Sequence, residues 1–258
     1  MAQVPDNKTE ETAAPSAEKT AKPEKEKPPP PTEKKVESKE GTLRKHFALK
    51  DGKKNGEARI YDKEGVLIRK EWYRNGVLEG PVTHYDAGGG ISKQSTVIRG
   101  KLEGEMLRFN KGVLVSKTQY QGGKRHGEQL VFNEQEKIVS KKNYARDKLN
   151  GEVIGYDGQD NVIIKTTYTN DLRHGPTTGY YPGGGLREKG QYQNDRLEGE
   201  FLRYHVNGKV RERQSFKEGK PLGPPQYFKD NGEPDAPPGT PPEQKGWLEK
   251  ILDFIFGK

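Results

Sequence analysis

The sequence predicts an all-β fold: an elongated antiparallel β-meander of about eight hairpin repeats, each 24 residues long. Three observations predict it. A Gly-Glu or Gly-Pro dipeptide recurs at Gly56, Gly80, Gly104, Gly127, Gly151, Gly175, Gly199 and Gly223, in steps of 24 residues with a single step of 23. An aromatic residue follows every one of these glycines by five positions: Tyr61, Tyr85, Phe109, Phe132, Tyr156, Tyr180, Tyr204 and Phe228. Turn-forming pairs such as Asn75-Gly76, Gly122-Gly123, Asn170-Asp171 and Asn194-Asp195 then leave runs of about eight residues, a normal strand length.

The chain opens on residues 1–41, where eight lysines face nine acidic residues and two valines and Met1 are the larger apolar side chains. Burial of so little apolar surface does not offset ordering entropy, so a disordered Lys/Glu/Pro-rich tail is expected. Pro28 to Pro31 favour extended polyproline II and make this tail a semi-stiff spacer.

Residues 42–232 form the repeat array. A leading half-unit from Leu43 to Gly52 supplies one strand. Each full unit then runs from its glycine to its aromatic and turns at a site such as Asp62-Lys63-Glu64-Gly65 or Val206-Asn207-Gly208. It returns through an apolar residue eleven positions after the glycine (Leu67, Ile91, Ile138, Val162, Leu186, Val210, with Leu114 one position early). A second ring or apolar side chain follows near the seventeenth position: Tyr73, Val97, Tyr120, Tyr144, Tyr168, Tyr192 and Phe216. Shared parity places Leu186 and Tyr192, or Val210 and Phe216, on one face. Asn-Gly and Asn-Asp supply the positive φ that short hairpin loops demand, and turns this short join antiparallel neighbours. About sixteen strands at ~4.8 Å each extend roughly 70 Å.

Residues 233–246 read as a Pro/Gly linker and 247–256 as an amphipathic helix. Glu249, Lys250 and Asp253 fall on one stripe, and Trp247, Leu248, Ile251, Leu252, Phe254 and Ile255 cover the rest. A ten-residue helix is marginal alone in water, so this one must dock. Its six apolar side chains are the candidate partner-binding residues. Three roles fit them: a cap folded back over the array, a docking peptide for a partner groove, and an interfacial membrane anchor.

The pattern Gly-Glu, aromatic-Asp, Gly, Tyr, Asn-Gly, Leu-x-Gly resembles the MORN repeat, most nearly the longer bacterial variant in antitoxin proteins of the YwqK type. The resemblance covers residues 42–232. It implies a protein-binding scaffold, a membrane-associated module or an appendage to an enzyme, and it assigns no site residues.

The residue inventory argues against an enzyme. With no cysteine there are no disulfides, thiolate metal sites or cysteine nucleophiles. His126 and His174 occupy the same slot two repeats apart, ~19 Å by strand spacing, too far to share a metal. The clusters Gly88-Gly89-Gly90 and Gly183-Gly184-Gly185 are turns at equivalent repeat positions, with no helix behind them to cradle a phosphate. Glu57, Glu105, Glu128, Glu152 and Glu200 recur at one slot and read as cross-strand charge partners. No catalytic residue, metal or cofactor is therefore expected.

One third of the residues are charged and mean hydropathy is −1.11. Of the net +8, residues 1–41 contribute −1 and residues 230–258 contribute −3, which leaves +12 on residues 42–229. Basic residues spread along the repeats and mixed with acids argue against nucleic acid as the partner, while an anionic membrane surface stays a rival to another protein. No 18-residue apolar run and no signal peptide appear, so the default compartment is cytoplasmic. The expected function is a non-enzymatic interaction scaffold, with an antitoxin or immunity role as one specific form.

Overall fold

The computed structural model describes residues 33–39, 42–237 and 247–256. Contacts divide the chain into residues 1–30 and 31–258, and the described residues all belong to the second unit. The described residues form a single sheet of 21 strands and one helix. The first eleven strands are β1 (Glu33–Lys39), β2 (Thr42–Lys50), β3 (Lys53–Tyr61), β4 (Leu67–Arg74), β5 (Val77–Leu78), β6 (Gly80–Tyr85), β7 (Ile91–Ile98), β8 (Lys101–Asn110), β9 (Val113–Gln121), β10 (Lys124–Phe132) and β11 (Ile138–Ala145). The remainder are β12 (Lys148–Tyr156), β13 (Val162–Thr169), β14 (Leu172–Tyr180), β15 (Leu186–Gln193), β16 (Arg196–Leu197), β17 (Gly199–Tyr204), β18 (Val210–Lys217), β19 (Lys220–Pro221), β20 (Gln226–Phe228) and β21 (Pro234–Asp235). Helix α1 spans Trp247–Phe256.

Every pairing is antiparallel and joins strands adjacent along the chain, with β5, β16 and β19 as short segments leading into β6, β17 and β20. The sheet is not closed. The predicted meander is therefore the fold. It begins earlier than the sequence suggests: Glu33–Lys39, assigned above to the disordered tail, pair with β2 from Glu33↔Leu49 to Lys39↔Thr42. An open edge strand supplies hydrogen-bonding groups that low hydropathy does not reveal. Residues 1–32, 40 and 41 of that tail, and 238–246 of the linker, lie outside the described residues.

The register explains the repeat. Each anchor glycine faces the second-strand ring or apolar residue of its own unit: Gly56↔Tyr73, Gly80↔Val97, Gly104↔Tyr120, Gly127↔Tyr144, Gly151↔Tyr168, Gly175↔Tyr192 and Gly199↔Phe216. These glycines hold φ between 75° and 131°, a region L side chains rarely adopt, next to register shifts that break the ladder. A second shift precedes the position-five ring in the first seven units, so Tyr180 pairs with Leu186 although Gly179 pairs with Glu188. That shift interrupts the alternation between Leu186 and Tyr192, and parity alone does not place them on one face.

Consecutive repeats are tied at their turns. Backbone N–H groups of Gly76, Gly100, Gly123, Asp147, Asp171, Asp195 and Gly219 donate to carbonyls of the preceding unit's turn, at 2.8 to 3.0 Å. Where the residue is Asp, its carboxylate also accepts the reciprocal bond: Arg125 N, Leu149 N and Arg173 N donate to Asp147, Asp171 and Asp195 Oδ1 at 2.8, 2.7 and 2.9 Å. These bonds lie at exposed or half-buried turns, where solvent screens the carboxylates.

The core is a stripe along one face. Directly opposed residues Met106, Thr118, Gln129, Lys142, Val153, Thr166, Thr177 and Gly190 continue one another from strand to strand. Ile164 and Val153 are fully buried, as are Thr166 and Thr177, whose hydroxyls bond each other at 2.8 Å. Helix α1 covers the stripe at its middle, while Ala58, Val82, Met106 and Thr118 are buried outside the cluster around the helix.

Candidate functional site: the helix seat

Helix α1 lies across the stripe from β14 to β11. At its start Glu249 Oε1 accepts from Arg173 Nη1 of β14 at 2.8 Å. At its end Lys142 Nζ of β11 donates to the carbonyl oxygen of Ile255 at 3.0 Å and stands 4.6 Å over the Phe256 ring. Three strand spacings are about 14 Å and ten helical residues about 15 Å, so helix and seat match in length. Both pairings suit the helix dipole: an acid in the first turn, a cation against the last carbonyls.

Between these ends Leu252 and Ile255 are buried in one cluster with Tyr144, Leu149, Val153, Ile164, Tyr168 and Tyr192. Tyr168 and Phe256 meet edge to face at 5.8 Å. Gly155 makes the room: a Cβ there would overlap Ile255 Cδ1 and fall 2.8 Å from Ile164 Cγ2. Beside the helix a cleft of about 560 Å³ opens between Leu149, Tyr168, Asp171, Arg173 and Leu252.

Arg173 organises the seat. Its guanidinium stacks 4.2 Å over Tyr192, holds Asp195 through Nε at 3.0 Å, and spends Nη1 on the helix. Arg125 repeats the arrangement two units earlier, 4.1 Å over Tyr144 with Asp147 at 3.4 Å from Nε. Burial pushes the phenols of Tyr168 and Tyr192 above their ordinary range and pulls the Lys142 ammonium down, helped by Arg125.

The repeats around this seat now have a counterpart. Residues 173–194 and 197–218, which include β14–β15 and most of β16–β18, match the family model described as a MORN repeat variant. Two units of the array, within residues 173–218, thus match the MORN repeat variant. Repeats of this type are interaction modules for proteins or membranes. No curated protein matches the chain. Among solved structures it is similar, at 11% identity and a TM-score of 0.14, to a chain in the crystal structure of TcdB2-TccC3-Cdc42, over 75% of this chain and 15% of that one. A likeness of that size, to a chain of which this one spans about 15%, bears on neither fold nor function.

The array distributes the expected residues unevenly. Leu252 and Ile255 are buried against the chain's own sheet, Ile251 is half-buried, and Phe254 is 68% exposed on the outer side. The side chains of Trp247 and Leu248 lie outside the described set. None of the rings at position five belongs to the buried cluster around α1. Tyr204 is buried, while Tyr61, Tyr85, Phe109, Phe132, Tyr156, Tyr180 and Phe228 are half-buried at the hairpin ends. Lys70, Lys189 and Arg213, on the face away from the helix, each stand 5.9 Å from Tyr85, Tyr204 and Phe228. The helix uses the seventeenth-position ring Tyr168 instead.

Three of the repeated glutamates pair across strands, Glu105 with Lys117, Glu128 with Lys141 and Glu200 with Arg213, while Glu57 pairs with Arg59 along β3. Among the described residues no group of three His, Asp or Glu is placed to hold a metal ion. Sequence reasoning missed Arg173, Lys142 and Gly155. Arginine two residues before the anchor glycine at both 125 and 173 was a legible signal; the other two leave none, because their roles exist only once α1 is seated.

Proposed function

We propose that this chain is a non-enzymatic interaction protein whose MORN sheet is a receptor for a short apolar helix, and that α1 fills that seat in its own repeats. The observation that carries the reading is the double anchoring of α1, with Arg173 on its first turn and Lys142 on its last carbonyls. A partner protein takes the seat by supplying a helix with an acid in its first turn and aliphatic residues at the positions of Leu252 and Ile255. Phe254, exposed with Lys250, then offers a second contact outside the seat. The narrower form, in which the partner is a toxin that the chain neutralises, rests on the YwqK-type character of the repeats.

The test uses the double variant Leu252→Asp plus Ile255→Asp, which frees the seat while leaving the sheet intact. A peptide of residues 245–258 added in trans should bind this variant saturably and bind the wild type weakly. Equal binding to both, or binding to neither, contradicts the receptor reading. The membrane alternative draws on the +12 of residues 42–229. It predicts co-sedimentation with anionic vesicles that weakens as salt rises and is lost on Phe254→Ser.

A further inference from the structure

The same face carries a second feature, far from α1. One step along the strands from the central stripe, Arg69, His84, Lys93 and Arg108 stand directly opposite one another on β4, β6, β7 and β8. Cross-strand neighbours of this kind lie about 5 Å apart, and like charges so placed oppose folding. Continued toward the C-terminus, the same row alternates sign: Arg203 holds Glu212 at 2.7 Å and Glu188 at 3.4 Å. There the row is neutralised within the sheet itself. In the N-terminal half Arg69 has Glu71 at 2.6 Å, and among the described residues no carboxylate bridges Lys93 or Arg108. His84, Lys93 and Arg108 line a cleft of about 370 Å³, with Ser92, Phe109 and Val115 completing it.

We propose that His84, Lys93 and Arg108, with Arg69 at the margin, form a binding site for a compact phosphate-class polyanion. The chemistry selects the class. Three donor groups converge within about 10 Å across neighbouring strands. One carboxylate carries a single charge, whereas a phosphate monoester or diphosphate brings two or more with several acceptor oxygens. Arginine supplies a planar fork, lysine a point charge, and His84 a donor that strengthens on protonation. His84 and Lys93 are half-buried and Arg108 is exposed, so salt should screen a bound anion. Burial and the neighbouring cations act in concert here: burial first, then Lys93 and Arg69, lower the His84 imidazole against an upward pull from Glu71. Burial first, then Arg108 and Arg69, lower the Lys93 ammonium.

The test is an NMR pH titration of the His84 imidazole in the full-length protein, with and without sodium pyrophosphate. The anion should raise the His84 pKa saturably and more weakly at higher salt. Lys93→Gln and Arg108→Gln should each weaken pyrophosphate binding at least tenfold. Because each variant relieves repulsion, its melting temperature should be equal or higher, which separates lost binding from lost folding. A second arm uses vesicles containing phosphatidic acid. Capture lost in the same variants assigns the phosphate to a lipid headgroup; no capture, with pyrophosphate still bound, assigns it to a soluble or protein-borne phosphate. An unmoved His84 at millimolar pyrophosphate, wild-type affinity in both variants, or an equal response to a poly-glutamate peptide would overturn the proposal.

Discussion

Gly155→Ala puts one methyl group between the sheet and α1. The new Cβ would lie 2.8 Å from Ile164 Cγ2 and overlap Ile255 Cδ1, where carbon atoms settle at about 3.5–4.0 Å. Ile164 is fully buried between paired strands and cannot retreat, whereas Ile255 sits at the end of a ten-residue helix. The helix must therefore give way. Overpacking of this size costs about 1–3 kcal/mol, which lowers the docked-to-undocked ratio about 5- to 150-fold. Undocking relieves the overlap with Ile255 but not the 2.8 Å approach to Ile164 Cγ2, so β12 and β13 carry a smaller share of the cost, offset by about 0.4–1 kcal/mol through the unfolded chain because Gly155 lies outside the left-handed region. Hydrogen exchange on the full-length protein reads both effects together. Amides of residues 251–256 should lose most of their protection while those of β12 and β13 lose far less. Helix amides as protected as in the wild type would refute the reasoning, and so would a collapse of sheet protection.

Three other changes test separate parts of the structure. Lys142→Met removes the cation held against the Ile255 carbonyl and should weaken docking by about 1–2 kcal/mol, seen as faster exchange confined to the end of α1. Asp171→Gly keeps the turn but deletes the carboxylate that accepts from Leu149 N, and should cost about 1.5–3 kcal/mol in denaturant melts. Glu188 is buried with Oε1 unbonded; burial, opposed by Arg203, Arg187 and Arg211, raises its carboxyl above the ordinary 4.5. The folded state therefore holds that proton more tightly, so the destabilisation is fully present above the folded-state pKa and vanishes below the unfolded one. Glu188→Gln should be at least as stable as wild type at pH 7, because Glu212 still holds Arg203, with the difference shrinking below pH 4.5. A loss of about 3 kcal/mol at pH 7 would show that the ion pair outweighs its burial.

The meander could be read directly because its determinants are local. Asn170-Asp171 or Asn194-Asp195 dictate a tight turn whatever surrounds them, and Gly151 and Gly175 recur because each faces a tyrosine in a left-handed conformation. Helix boundaries at Trp247 and Phe256 were equally legible from the apolar run that follows the proline-rich segment. The seat was not, since Lys142 reads as one basic residue among many until the Ile255 carbonyl arrives 113 positions later. Strand β1 was hidden by composition: Glu33–Lys39 resemble the rest of their Lys/Glu-rich surroundings, and the free edge of β2 decides their state. The cationic row escaped for a related reason, as Arg69, His84, Lys93 and Arg108 are scattered along the chain and meet only through strand register.

Isotope-edited methyl NOEs on the full-length protein probe the seating of α1 most directly. The Ile255 δ1 methyl should show strong cross-peaks to the Ile164 γ2 methyl and to the Gly155 α protons, with ring-shifted resonances from Tyr168. Ile255 methyl shifts at random-coil positions with no cross-peak to either residue would contradict the helix-receptor account.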